Sequence, residues 1–199
     1  MSEFTAYLKL GIDHISDLQA YDHILFIIAL TALYRIKDIK KVGILVTAFT
    51  IGHSVTLALA TLNVILIPSE IIEFLIPVTI LLTCIYNVTV TRKAYQTTEN
   101  KKNYQFSYLI ALLFGLIHGM GFSNYLRMLL GKEESILLPL LSFNLGLEIG
   151  QLFIVAIILS LMVLFQRGFG VSARSWTIFM SGAAAGISVI LMSETAFWT

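Results

Sequence analysis

Long apolar runs recur through this chain and leave little sequence between them. At least four of the runs are about 20 residues long, which is the length that an α-helix needs to cross the hydrocarbon core of a bilayer. Hydrophobic residues make up 57% of the 199 residues and charged residues 13%, whereas a typical soluble domain is about 45–50% apolar and about 25% charged. The sequence therefore predicts an all-α polytopic membrane protein, a compact bundle of about six transmembrane helices that forms a single domain over residues 1–199.

Turn and loop signals divide the chain into the predicted spans. Ser16 followed by Gln19 matches a capping box, a pattern that marks helix starts, so the first span is predicted to begin near Asp17 and residues 3–12 to lie at the membrane interface. The fifth span is long enough to tilt or to be broken near Pro139. The predicted spans cover approximately residues 17–35, 42–65, 70–90, 104–130, 135–165 and 172–197.

Basic residues are distributed unevenly between the two sets of predicted loops. Because loops rich in Lys and Arg tend to stay on the cytoplasmic side, we predict a multi-pass protein of the cell membrane with both termini outside the cytoplasm. Ten basic residues lie in the first, third and fifth loops, namely Arg35, Lys37, Lys40, Lys41, Arg92, Lys93, Lys101, Lys102, Arg167 and Arg174. The other three are Lys9, Arg127 and Lys132.

Charge, motifs and cysteine content exclude several classes of partner. The net charge is +1 and no block of basic residues occurs, so nucleic-acid binding is not expected. The chain contains no P-loop motif, so no nucleotide is expected and any transport would be driven by gradients. Cys84 is the single cysteine, so the chain makes no internal disulfide.

Four histidines are the main candidates for a functional site. His53 and His118 lie inside predicted spans, while His14 and His23 lie near the start of the first one. Ionisable side chains at membrane depth are costly and usually indicate function. Imidazole suits nickel, cobalt or zinc, and Asp22 could either add a carboxylate ligand or orient a ligating histidine.

Simpler roles for the same residues stay open at this point. Asp22 and His23 could hold a helix end at the water interface, and a lone histidine in a span could be only an interhelical hydrogen bonder. The position of His14 is also open. In a helix continuous from Gly11, His14 and Asp22 would lie two turns apart and about 80° apart around the axis; otherwise His14 lies in an entry segment that can fold over the helix end.

Glycines surround His118 in the fourth predicted span. Gly115, Gly119 and Gly121 fall within seven residues, and each weakens a helix by about 1 kcal/mol relative to Ala. This concentration of glycines in a predicted helix needs a physical explanation. Either two helices pack closely here, or the helix breaks locally and bares backbone groups to a bound ion.

Further polar residues lie in or near the spans. Asn144, Glu148 and Gln151 are spaced by 4 and 3 residues and share one helical stripe. Glu148 could be a protonatable carboxylate in a translocation or catalytic path, or a structural partner of a histidine. Ser54 is a supporting polar residue beside a histidine, and Glu73 is a weaker candidate because it lies near a span end.

Four motifs together resemble a known family. In chain order they read HxxxxxxxDHILF from His14, FTIGHSVTLAL, GLIHGMGF and FNLGLEIGQ, and the resemblance covers nearly the whole chain. They are similar to the HupE/UreJ family, small membrane proteins associated with hydrogenase and urease accessory genes. The resemblance implies nickel or cobalt permease activity.

Two functions use the same residues, and the sequence alone does not separate them. The first is a secondary permease for nickel, cobalt or zinc, with one ion bound where the first, second and fourth spans meet. Its predicted ligands are His14, Asp22 and His23, with His53 and His118 as additional or alternative ligands.

The alternative is an intramembrane zinc-dependent hydrolase. Three histidines would hold the metal and a water, Asp22 or Glu148 would act as general base, and Ser54 would bind an oxyanion. A passive scaffold does not account for so many buried ionisable groups. The predicted partners are the lipid bilayer and the metal ion, as substrate or cofactor, and the sequence does not determine the oligomeric state.

Overall fold

The computed structural model describes residues 2–65, 67–96, 104–130 and 135–196. Within these ranges the chain is all-α, as predicted, and contains no β-strand. The helices are α1 (Glu3–Ser16), α2 (Asp22–Thr31), a 3₁₀ turn (Ile36–Asp38), α3 (Ile39–Thr61), α4 (Ser69–Gln96), α5 (Tyr104–Gly121), α6 (Ser123–Leu130), α7 (Leu137–Gly168) and α8 (Ala173–Glu194).

Four helices are long and apolar enough to cross a membrane, and a fifth crossing is possible. The four crossings are Ile36–Thr61, Ser69–Arg92, Leu137–Gly168 and Ala173–Glu194, and the fifth combines α5 and α6, which meet at an angle of 51°. Pro139 lies in the first turn of α7 and does not break it. The described residues therefore support a membrane bundle with four or five crossings, and the predicted total of six is not confirmed.

The first predicted span, residues 17–35, is the main difference from the sequence-based prediction. Ser16 is the last residue of α1 rather than a helix N-cap, and its hydroxyl donates to the carbonyl of Ile12 at 2.6 Å. Asp17 is extended, and the helix resumes only at Asp22. With 10 residues, α2 is about 15 Å long and too short to cross a bilayer alone.

Helix α1 packs along α7, and the location of residues 3–12 at the membrane interface stays a prediction. Tyr7, Gly11 and Ile15 form its buried face. A Cβ added to Gly11 would lie 2.0 Å from the carbonyl oxygen of Phe143, so only glycine permits this approach of the two backbones. The close packing supplies the apolar burial that this weakly amphipathic helix needs.

The carbonyl groups at the end of α2 are capped by side chains from two other helices. The last carbonyls of any helix lack partners within it. The Asn87 amide donates to the carbonyl of Ala29 at 2.6 Å and to the Ser181 hydroxyl at 3.2 Å. The Thr177 hydroxyl donates to the carbonyl of Ala32 at 2.7 Å. These bonds give the carbonyls of Ala29 and Ala32 partners inside the bundle, where no water would replace them.

One of the predicted loops is only partly described, and another lies wholly outside the described residues. Helix α4 continues to Gln96, so residues 91–96 are helical rather than part of a polar loop. Residues 97–103 and 131–134, which carry three of the basic residues counted above, lie outside the described residues.

Candidate metal site

The four histidine rings lie together although they come from four different helices. His14 is in the last turn of α1, His23 in the first turn of α2, His53 in α3 and His118 in α5. The ring centroids of His14 and His23 are 4.6 Å apart, those of His14 and His53 6.3 Å, and those of His23 and His118 5.6 Å. We call these four residues the histidine cluster.

The break between α1 and α2 brings the first two rings together. In a continuous helix, His14 and His23 would be separated by about 13 Å along the axis. The backbone NH of Gln19 donates to the Asp17 carboxylate at 2.8 Å, a local turn that competes with helix formation. The observed geometry therefore corresponds to the entry-segment alternative, in which His14 folds back over the start of α2.

Close packing of α3 on α5 brings the other two rings to the cluster. A Cβ on Gly115 would lie 2.1 Å from the carbonyl oxygen of Phe49 and 3.1 Å from the backbone nitrogen of His53. A Cβ on Gly119 would lie 2.2 Å from the carbonyl oxygen of His53. These two glycines are therefore explained by helix packing, and the break in this segment comes at Phe122, between α5 and α6.

Hydrogen bonds determine which ring nitrogens of two histidines can bind a metal. His118 Nδ1 lies 2.9 Å from the carbonyl oxygen of Phe114, which can only accept, so Nδ1 carries the proton and Nε2 of the neutral ring has a free lone pair. His23 Nδ1 lies 3.0 Å from the Asp22 carboxylate. In the neutral His23 ring, Nδ1 therefore also carries the proton and Nε2 has the free lone pair. Asp22 also accepts the backbone NH of His23 at 2.9 Å, so it acts here as a partner that orients a histidine.

Five ring nitrogens of the cluster are buried without a hydrogen-bond partner in the described part of the chain. They are His14 Nε2, His23 Nε2, His118 Nε2 and both nitrogens of His53, one of which carries the proton of the neutral ring. The Asn144 side chain, whose Oδ1 is likewise buried without a partner, lies beside His53 and is the natural acceptor for that proton. A buried polar atom without a partner costs about 1–3 kcal/mol. Such a concentration at one place makes the cluster the candidate position for a ligand in the described part of the chain.

The spacing of the rings is compatible with ligation of one ion. Two imidazoles bound by bonds of about 2.0–2.1 Å have ring centres roughly 4.5–6.5 Å apart, depending on the angle at the metal. Three of the six ring pairs, at 4.6–6.3 Å, fall in this range, and they connect His118, His23, His14 and His53 one after another. Among the described residues, however, no group of three or more His, Cys, Asp or Glu side chains is arranged so that it could hold a metal ion.

Phenylalanines enclose the cluster, and the sequence-based prediction did not include them. Phe26 lies 5.1 Å from the His118 ring, and Phe122 lies 4.0 Å from the His14 ring. Phe49 and Phe143 are also fully buried against it. Two of them could have been found from the sequence, because Phe26 follows His23 by three residues and Phe49 precedes His53 by four, spacings that share a helix face.

The polar stripe of α7 faces α3. The Thr50 hydroxyl donates to the buried Gln151 side chain at 2.9 Å, and the Thr47 hydroxyl donates to the Glu148 carboxylate at 2.6 Å. Asn144 lies beside His53 and donates to a backbone carbonyl of its own helix. The stripe thus tethers α7 to the helix that carries His53.

Two other predicted residues lie apart from the rings. The Ser54 hydroxyl donates to the carbonyl of Thr50 at 2.6 Å. Glu73 is exposed and lines a cavity that also contains Gln19 and Asp22.

Comparison with known proteins gives one match. A family model described as HupE / UreJ protein matches residues 1–198. No curated protein matches the chain, and no solved structure matches it.

Proposed function

The chain belongs to the HupE/UreJ family, and on that premise we propose that it is a secondary permease that carries a divalent transition metal through the histidine cluster. Family membership and the apolar helices support membrane metal transport in general. We further propose nickel or cobalt as the substrate, with zinc as a third candidate, because neutral imidazole suits these ions.

The observation that carries the proposal is the set of five buried ring nitrogens without partners. Buried polar atoms in proteins nearly always have a hydrogen-bond partner. In His23 and His118 the second nitrogen is already bonded to a carboxylate or a carbonyl, the arrangement that orients histidine ligands in metal sites. The substrate ion would satisfy the one lone-pair nitrogen that each of the four rings offers.

In the proposed cycle, the ion exchanges its water ligands for the imidazoles of the histidine cluster, namely His14, His23, His53 and His118. The Asp22 carboxylate, hydrogen-bonded to His23, offsets part of the positive charge of the ion and can become a ligand itself. Asn144, Glu148 and Gln151 position α7 against α3 and support the path. Glu73 is assigned a supporting role near Asp22. We place the protein in the cell membrane with both termini outside the cytoplasm, on the basis of the basic-residue asymmetry.

The hydrolase alternative receives no support from the family match or from the described residues. Its proposed oxyanion donor, Ser54, already donates its hydroxyl proton to the carbonyl of Thr50. Its proposed bases, Asp22 and Glu148, are bonded to His23 and Thr47 respectively.

Metal analysis of the purified protein tests the proposal. Wild-type protein, purified without chelator and supplied with nickel, cobalt or zinc, should bind one ion, and the His23→Ala/His118→Ala variant should bind markedly less. Glu73→Gln is the control and should retain most of the metal. The same proteins in liposomes should differ in metal uptake in the same order.

Equal metal content in wild type and the double variant would refute the cluster as the binding site. Metal binding that survives without any uptake in liposomes would refute the permease.

A further inference from the structure

Two cavities lie on opposite sides of the histidine cluster. The outer cavity has a volume of about 690 Å³ and is lined by residues that include Asp13, His14, Asp17, Gln19, Phe122 and Tyr125. The inner cavity has a volume of about 160 Å³, room for several water molecules. Its lining combines apolar residues such as Leu33, Leu82 and Ile110 with polar ones such as Thr83, Asn87 and Ser107, and most of the lining surface is apolar.

Helix α5 shows the order in which the inner cavity, the histidine cluster and the outer cavity follow one another. Ser107, in its first turns, lines the inner cavity, and His118 lies 11 residues later, about 16 Å along the axis. Phe122, just past the end of α5, lines the outer cavity. The histidine cluster therefore lies between them, with His14 open to the outer one.

Phe26 occupies the gap between the cluster and the inner cavity. Its ring is fully buried, and its centroid lies 5.1 Å from that of His118, 4.8 Å from that of Phe49 and 6.0 Å from that of Phe114. Phe114 in turn lines the inner cavity, as does Leu30, one turn beyond Phe26 on α2. Phe49 lies equally close to the His118 ring, at 5.1 Å, so an ion leaving His118 in this direction would meet the rings of Phe26 and Phe49.

We propose that the inner cavity is the exit compartment of the translocation path and that Phe26 is the gate that separates it from the histidine cluster. The inference rests on the permease function proposed above. A constriction lined by apolar rings excludes water and therefore excludes hydrated ions. The structure then represents a state that is open to the outer cavity and closed to the inner one. Because α2 follows the non-helical residues 17–21, a small movement of this short helix would carry the Phe26 ring with it.

Cysteine accessibility tests the gate without requiring metal transport. Cys84 is replaced by Ala, Ser107→Cys supplies a reporter thiol in the inner cavity, and a small charged thiol reagent is added to sealed membrane vesicles of either orientation. With Phe26 intact, the reporter should react from one side only. With Phe26→Ala it should react from both sides, and with Phe26→Leu the second side should react at an intermediate rate.

Phe143→Ala is the matched control, because Phe143 is fully buried and stacks on Phe122 on the outer side of the cluster. It should leave the reporter reactive from one side only. Reaction from both sides with Phe26 intact would overturn the gate, as would one-sided reaction in both Phe26 variants when their thermal unfolding shows that they are folded. If the Ser107→Cys reporter shows the expected labelling but the wild-type protein binds no metal, the permease is refuted and the Phe26 barrier is not.

Discussion

Gly115→Ala should disrupt the metal site from a position that is not a ligand. The new Cβ would lie 2.1 Å from the carbonyl oxygen of Phe49, whereas ordinary van der Waals contact begins at 3.4 Å. The obstructing atom belongs to a helix backbone, so no side-chain rotation relieves the clash, and α3 and α5 must separate by roughly 1 Å or more. The backbone nitrogen of His53, 3.1 Å from the same Cβ, moves with α3.

The expected cost can be estimated from two opposing effects. Overpacking a well-packed interface costs about 1–3 kcal/mol, and more when backbone must move, while Ala in place of Gly favours the helix by about 1 kcal/mol. We expect net destabilisation, together with weaker metal binding, because the separation moves His53 away from His118.

The measurement is thermal unfolding in detergent combined with a titration of metal binding. Gly43→Ala is the matched control, because nothing lies within 4 Å of a Cβ at Gly43 in α3, and it should be neutral or slightly stabilising. If Gly115→Ala matched Gly43→Ala in both stability and metal affinity, the packing argument would be refuted.

Three further predictions concern the ligand partner, the capping of α2 and the topology. Asp22→Asn should lower metal affinity about 10–100-fold, the usual effect of losing a partner that orients a ligating histidine; an unchanged binding isotherm would count against that role. Asn87→Leu should destabilise the protein by about 1–3 kcal/mol, because a carbonyl of α2 becomes buried without a partner. The exposed control Thr89→Val, whose hydroxyl bonds only within its own helix, should change the unfolding temperature much less, and equal losses would contradict the capping argument. In a cysteine-free background, Lys132→Cys should react with an impermeant thiol reagent in intact cells while Thr97→Cys does not, although both positions lie outside the described residues; the reverse pattern would invert the proposed orientation.

Some features of the protein follow from local properties of the sequence. The length and apolarity of a run decide whether a helix can cross a membrane, and neither depends on its neighbours. The cost of burying an ionisable group is equally local, so His53 and His118 were recognisable as candidates within their apolar runs. The motifs around them also sufficed to indicate the family that the match over residues 1–198 supports.

Tertiary packing decided the features that the sequence-based prediction missed. The capping-box pattern at Ser16 and Gln19 predicts a helix start, yet α1 continues through Ser16 because α7 buries its apolar face. Whether Asp22 is a ligand or an orienting partner depends on the rotamer that neighbouring helices allow. The Phe26 barrier depends on which rings meet across α2, α3 and α5. The local sequence of one helix does not specify which other helices will surround it, so the enclosure of the histidine rings and the hydrogen bonds that orient them are decided only when the helices pack.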